Sequence, residues 1–361
     1  MPAGFVPLHP ACGSVENRSQ YIRMSKIEIR DFSSSEWDAL QSRFGDRSLV
    51  QDWAYGEAKT EDGGWRVERG VLHSGQEITS IFQALIRPIP VFSGGLVWIN
   101  RAPLWQTTTG QGPEVYGEAL HQLYSYYVLE RGMYLRLAPS HVPGETTILD
   151  ASTCGLQDAG MSGWASTVLD LTRAQDDLRA GLKQKWRNCL NKAERANLEI
   201  ASGTGADLFA EFLESYRAFV GGRGFTTSVT PDLLAGLQRC LPEARKLKVF
   251  TAYLDGAPIA SALIARYGTA AEYLAGTSTD AGRKNNAGQL LLWRALVELQ
   301  KTGFKNFDLG GVDPELTAPG VLQFKTGMNG VPYRLAPEIE AVGGGLIQRL
   351  VRWRVSKARA A

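Results

Sequence analysis

Cysteine is scarce in this 361-residue chain: four, at Cys12, Cys154, Cys189 and Cys240, with no C-x-x-C pair among them. Such spacing argues against a disulfide framework or a thiolate metal site and fits a reducing compartment. Histidine is as scarce, and no two of His9, His73, His121 and His141 stand at i, i+4 around an acid, so zinc-protease chemistry has no ligand set. No run of about 18 apolar residues occurs, which leaves no stretch to span a bilayer as a helix. An excess of one charge is missing too. With 39 basic against 37 acidic residues, net +2, any contact with nucleic acid or membrane has to come from local clusters. The first 23 residues lack the basic-then-apolar order of a signal peptide. With Pro2, Pro7, Pro10 and Gly13 they read as a loose extension or an early start codon, and the expected location is cytoplasmic.

What is present is a globular profile, 44% hydrophobic and 21% charged with nine Trp. The length exceeds what one core usually serves, so two domains are expected. The chain then runs twice through one pattern. Trp65 to Leu72 and Glu77 to Ile86 flank a Ser74-Gly75 turn, Leu96 to Asn100 is a third strand, Pro113 to Glu130 a helix closed by Gly132, and Met133 to Leu137 the next strand. The second course has strands Leu247 to Leu254 and Pro258 to Arg266 around Asp255-Gly256, then Ala271 to Ala275. A helix Gln289 to Gln300 closed by Gly303 and a strand Lys305 to Leu309 complete it. Each unit is a hairpin feeding one right-handed parallel crossover. Between the units, Leu178 to Leu198 reads as one helix, acidic before it (Asp176, Asp177) and basic within, with Trp186, Leu190 and Ala193 as its apolar stripe. Ala206 to Val220 and Pro231 to Cys240 read as two more.

A hairpin sheet with one central crossover resembles the GNAT acyltransferase module, in which backbone N–H groups at the crossover helix start carry the cofactor pyrophosphate. That family's loop reads Q/R-x-x-G-x-G/A. The matching loop, Arg283-Lys284-Asn285-Asn286-Ala287-Gly288, keeps Arg283 and Gly288 but has Asn286 where the middle Gly belongs. The first unit's loop contains Pro113, which has no N–H to offer. Arg283, Asn286 and Gly288 are the candidate donor-phosphate loop; Asn286 also suits an ordinary turn.

Four segments carry a closer likeness: Val50 to Lys59 with Gly64-Trp65, Lys183 to Asn188, Gly222-Arg223-Gly224-Phe225, and Phe307-Asp308-Leu309-Gly310-Gly311 followed by Phe324-Lys325. On these the chain resembles the Fem-type aminoacyltransferases, which build peptidoglycan interpeptide bridges from aminoacyl-tRNA. The resemblance implies an α/β (α+β) fold of two tandem GNAT-like modules, each a mixed sheet with a central parallel βαβ crossover. The domain plan is a loose extension 1–23, a first module 24–170 to which 331–345 can return, a second module 171–330, and a basic helix 346–361. The activity implied is N-acyl transfer from aminoacyl-tRNA, as co-substrate, to an amine such as a peptidoglycan-precursor peptide, lipid-linked or not. No tightly bound cofactor and no metal is implied. Lys325 takes the place of the family's catalytic lysine, facing an oxyanion or the departing ribose oxygen, with Asp308 orienting it or capping its strand. Lys59, Arg223 and Tyr273, with Phe324, match positions that hold the acceptor. One departure matters: where relatives end a strand in Asp-Pro beside the acceptor amine, this chain has Leu137-Ala138-Pro139, so the base is unassigned.

Other readings stay open. Arg283 to Gly288 keeps half of a coenzyme A loop, so an acyl-CoA donor is the alternative, and a duplicated module that only binds is a third. The basic run Lys183 to Arg195 is a solvated face or a strip for tRNA phosphates. Leu346 to Arg359 reads as an amphipathic helix, Leu346, Leu350 and Trp353 on one side and Arg349, Arg352, Arg354, Lys357 and Arg359 around the other. Such a helix docks plainly, meets RNA, or lies on an anionic membrane.

Overall fold

The structure, a computed structural model, describes residues 25–61, 63–89, 94–107, 112–143, 151–221, 227–341, 343 and 345–360. The first half holds β1 (Ser25–Ile29), α1 (Ser34–Gln41) and α2 (Trp53–Glu61), then the hairpin β2 (Arg66–Ser74) and β3 (Glu77–Pro88). β4 (Gly95–Asn100), the crossover helix α3 (Glu114–Leu123), β5 (Tyr134–Ala138) and β6 (Gln157–Asp158) follow. The second half opens with β7 (Ala165–Asp170), α4 (Gln175–Gly181), α5 (Gln184–Glu194), β8 (Glu199–Gly203), α6 (Ala206–Gly221) and α7 (Pro231–Cys240). Its hairpin is β9 (Lys248–Leu254) and β10 (Ala257–Tyr267), continued by β11 (Ala270–Ser278), α8 (Asp280–Lys284), the crossover helix α9 (Ala287–Lys301) and β12 (Asn306–Asp308). The chain closes with α10 (Pro319–Thr326), β13 (Val331–Arg334), β14 (Ile339–Ala341) and α11 (Leu346–Ala360).

These strands form two seven-stranded mixed sheets, β1-β2-β3-β4-β5-β14-β6 and β13-β7-β12-β11-β10-β9-β8. Among the described residues only β4–β5 in the first and β11–β12 in the second run parallel, each joined by its crossover helix. The duplication expected from the sequence is therefore the fold: two mixed sheets in tandem, each with one parallel crossover.

The halves also exchange strands. Residues 165–170, expected in the first module, form β7 beside β12 in the second sheet, with Asn306 opposite Asp170. Of the segment 331–345, β13 stays with β7 while β14 returns to pair with β5 and β6. A three-residue strand such as β12 offers an open edge, and an antiparallel neighbour satisfies its backbone groups. The expected extension 1–23 lies outside the described residues.

The stretch from Leu178 to Leu198 is not one helix. It breaks at Leu182 and Lys183, both extended (ψ 139° and 140°). Gly181 weakens the helix there, Leu182 is buried, and the Lys183 N–H donates to the Gly327 carbonyl at 3.0 Å. The first crossover helix spans its expected range, but Tyr124–Glu130 is π-wound.

Both modules share a core. Leu49, Ala54 and Ala58 pack in one cluster with Phe212, Leu234, Leu237 and Leu263. At Gly236 a β-carbon would lie 2.9 Å from Ala58 Cβ, so α2 and α7 touch through small residues. Arg245 ties the seam by donating to Asp38 at 2.6 Å and to Asp52. The Val50–Lys59 segment is structural as well: the Gln51 side chain is fully buried, donates to the Gln83 and Asn100 carbonyls at 3.0 and 2.8 Å, and accepts from Gln83 N–H at 2.7 Å. It locks the chain ahead of α2 onto β3 and β4.

Candidate active site

The two parallel pairs differ at their C-terminal ends. β4 and β5 stay in register from Leu96↔Tyr134 to Asn100↔Ala138. β11 and β12 pair only from Ala270↔Asn306 to Glu272↔Asp308. Beyond Glu272, β11 stays with β10 as far as Ser278↔Ala260. The chain after Asp308 instead follows β7, with Leu309 N–H on Thr167 O at 3.0 Å and Val312 N–H on Ala165 O at 2.9 Å. A crevice opens where these paths part, at the carboxyl ends of parallel strands, the usual place for a ligand in an α/β sheet.

Lys325 reaches into it from the last turn of α10. Its ammonium donates to the Gly311 carbonyl at 3.2 Å and lies 5.5 Å from the centroid of the Tyr273 ring. Burial lowers its pKa to about 8, against the opposing pull of Glu272 and Asp308. Gly310 makes the approach possible: it has a φ of 70°, and a β-carbon there would lie 3.0 Å from the Tyr273 carbonyl and 3.2 Å from Nζ. α10 is held from behind. Trp186 on α5 donates its indole N–H to Phe324 O at 3.0 Å, and a β-carbon at Gly327 would collide with its ring at 2.4 Å. The basic helix thus contributes to this site through its tryptophan.

Asp308 is a hub for three elements. One carboxylate oxygen accepts from Gly310 N–H at 2.7 Å and from Ser166 Oγ on β7; the other accepts from Tyr333 OH on β13. Ser166 also lies 2.9 Å from Gly310 O. Burial, and after it Asp308, push the Tyr333 phenol well up, so it stays a donor. Glu272, one register pair across, is buried and has its pKa raised by that burial, with Arg101 opposing. Tyr267 OH donates to it at 3.4 Å, and the Arg101 guanidinium from the end of β4 stands 3.9 Å away. Although burial pulls Arg101 down, Glu272 and the neighbouring acids raise its pKa, so the first module supplies a fixed cation to the second module's site. On the far side of Tyr267 a cavity of about 280 Å³ opens on the seam among Asp38, Arg47, Asp52 and Arg245.

The fold therefore gathers Lys325, Asp308 and Tyr273 as the sequence led one to expect, and places Phe324 and Gly288 beside them. Phe324 packs on Trp186 with ring centroids 6.5 Å apart, and a β-carbon on Gly288 would lie 3.3 Å from its ring. Of the other loop residues, Arg283 is exposed and donates to Ser278 O at 2.6 Å and to Asp280. Asn286 takes the left-handed conformation, φ 54°, before α9. Lys59 stands in the last turn of α2, a helix of the other module packed on α7. Arg223 lies outside the described residues. Arg101, Ser166, Tyr267, Glu272 and Tyr333 escaped the sequence reading; the one local hint was that Arg101 follows a strand at the carboxyl end of a parallel pair.

Residues 177–326, which span the splayed pair and reach just past Lys325, match the family model described as an acetyltransferase (GNAT) domain. No curated protein sequence matches the chain. Among solved structures, FemX is similar at a TM-score of 0.75 and 15% identity, covering 90% of this chain and 100% of that one. The C-terminal domain of an assigned lysylphosphatidylglycerol synthetase from Agrobacterium fabrum gives 0.54 and 14%, covering 89% and 96%. L-PGS from Bacillus licheniformis gives 0.51 and 13%, covering 90% and 96%. Residues 177–326 thus carry a domain similar to the GNAT acetyltransferases, and the chain as a whole shares the fold of FemX. Its architecture, two mixed sheets in tandem with one parallel crossover each, is similar to that of FemX.

Proposed function

We propose that the protein transfers an aminoacyl group from aminoacyl-tRNA to a primary amine, with a peptidoglycan-precursor peptide as the acceptor class. The observation that carries this reading is the half-buried Lys325 ammonium in the crevice between β11 and β12, held by Gly311 O and the Tyr273 ring. The acceptor nitrogen attacks the ester carbonyl, the C–N bond forms, and the negative charge that develops on oxygen faces Lys325. As the C–O bond to ribose breaks, Lys325 gives a proton to the departing oxygen and regains one from the acceptor nitrogen. A pKa near 8 suits a group that must both hold and release a proton near neutrality. Asp308 acts on this lysine by fixing Gly310 and its loop and through its negative charge, which favours the protonated ammonium. Lys59 and Arg223 are proposed as acceptor contacts, and Tyr273 and Phe324 as crevice walls.

An acyl-CoA donor is the second reading, favoured by the GNAT match and by Gly288 at the start of α9. Donor binding tells the two apart. Binding of aminoacyl-tRNA should weaken steeply between low and moderate salt, because phosphate contacts release counterions. Thermal stabilisation by coenzyme A, with no tRNA effect, would overturn the first reading.

We also propose that the protein works at an anionic membrane face. α11 turns Gln348 and Val351 inward, where Gln348 donates to Val128 O and Met133 O at 3.2 Å each. Leu346, Leu350 and Trp353 point outward, at 83%, 55% and 55% exposure, among the exposed Arg349, Arg354 and Lys357. No helix among the described residues is long and apolar enough to cross a membrane. The protein is expected to sediment with phosphatidylglycerol-containing vesicles and not with phosphatidylcholine alone. A Leu350→Glu, Trp353→Glu double variant should stay in the supernatant; equal sedimentation of variant and wild type would refute this role.

A further inference from the structure

Trp164 lies in the connection between β6 and β7 and keeps 40% of its surface exposed, although burying an indole is strongly favourable. It is not loose. The Arg101 guanidinium sits 4.9 Å from its ring centroid, a cation–π contact across the two modules. On another side it meets Gly311, where a β-carbon would lie 3.2 Å from the indole edge. Gly311 is the residue whose carbonyl receives the Lys325 ammonium. A single residue therefore separates a fixed, half-open aromatic surface from the nitrogen proposed to do the chemistry.

We propose that Trp164 is the platform on which the base of the donor's terminal adenosine stacks. The inference rests on the aminoacyl-tRNA reading and narrows it. In aminoacyl-tRNA the reactive ester is carried by the ribose of the terminal adenosine itself, so its base lies one sugar away from the carbonyl under attack. In acyl-CoA the adenine is separated from the thioester by a pyrophosphate and the whole pantetheine arm. A flat surface one residue from Lys325 fits the first geometry and not the second. Stacking on an aromatic ring is tolerant of base identity and gains from a guanidinium alongside, which Arg101 provides. Gly311 then has two duties: its carbonyl holds Lys325, and its missing side chain lets the indole stand close.

The test uses the donor end without the tRNA body. 3′-Deoxy-3′-(alanylamino)adenosine, with an amide in place of the ester, is titrated calorimetrically against the full chain. Wild type and Trp164→Phe should bind it, and Trp164→Ala should bind about tenfold more weakly or worse. Gly311→Ala, which displaces the indole without removing it, should weaken binding in the same direction, with melting curves confirming that both variants fold. Equal binding by wild type and Trp164→Ala would overturn the platform. If wild type ignores the analogue yet still transfers from aminoacyl-tRNA, the platform fails alone. If it ignores the analogue and transfers from acetyl-CoA instead, the donor reading fails with it.

Discussion

Lys325→Met is expected to lower kcat by about two to three orders of magnitude, the usual cost of removing one donor to a developing oxyanion. The fold should survive. Burial holds the Lys325 pKa down at about 8 from an ordinary 10.5, so the unfolded chain binds that proton more tightly. The sign follows from linkage. Between about pH 8 and 10.5 the unfolded state carries more protons, so this group's contribution to stability rises with pH there, and at neutral pH its charge opposes folding. The methionine variant should therefore melt no lower than wild type at pH 7 while losing turnover. Activity has the opposite slope: the cation is present below pH 8, so kcat should fall as pH rises through about 8. Lys325→Arg keeps the cation but cannot release its proton, so its turnover should stay well below wild type at every pH. Unchanged turnover in Lys325→Met would remove this residue from the chemistry.

Asp308→Ala is the second large effect, expected mainly on stability. The change strands the Tyr333 hydroxyl and the Gly310 N–H, both inside the second sheet, while Ser166 keeps Gly310 O as a partner. At about 1–3 kcal/mol for each group left unpaired, a loss of roughly 2–6 kcal/mol follows, measurable by urea unfolding. Asp308→Asn keeps an oxygen for Gly310 and Ser166, and its amide can donate to the Tyr333 oxygen, so most of that stability should return. Its kcat should stay below wild type, because the negative charge that helps keep Lys325 protonated has gone. Equal stability of Asp308→Ala and wild type would contradict the hub.

The two substitutions also separate what the sequence disclosed from what it hid. The repeat was legible because hairpin turns at Gly75 and Gly256 and capping glycines at Gly132 and Gly303 are local signals, each at positive φ. Asp308 and Lys325 were legible because one short stretch, Asp308 to Gly311, and one pair, Phe324-Lys325, carry them. Ser166 was not, since it is 142 residues from Asp308 and arrives on a strand exchanged between modules. Tyr333 was hidden for the same reason, its strand β13 being held by β7. Nor could the basic run Lys183 to Arg195 reveal that its role here passes through Trp186, which braces α10 by one hydrogen bond to Phe324 O. The helix break at Leu182 depends on a carbonyl at Gly327, far along the chain. Local pattern pointed to the candidate site; long-range pairing completed it.

The two parallel pairs differ in how far they stay together. In the first module β4 and β5 close fully, and β5 ends at Ala138. In the second the pair opens after Glu272 and Asp308, and Lys325 occupies the opening. Mass spectrometry of an amine-bearing peptidoglycan-precursor peptide, after incubation with the protein and labelled aminoacyl-tRNAs or acetyl-CoA, tests this most directly. A mass gain of one aminoacyl residue from the tRNA donors is expected with wild type and none with Lys325→Met. Acetyl transfer from coenzyme A alone, or an equal gain with Lys325→Met, would contradict it.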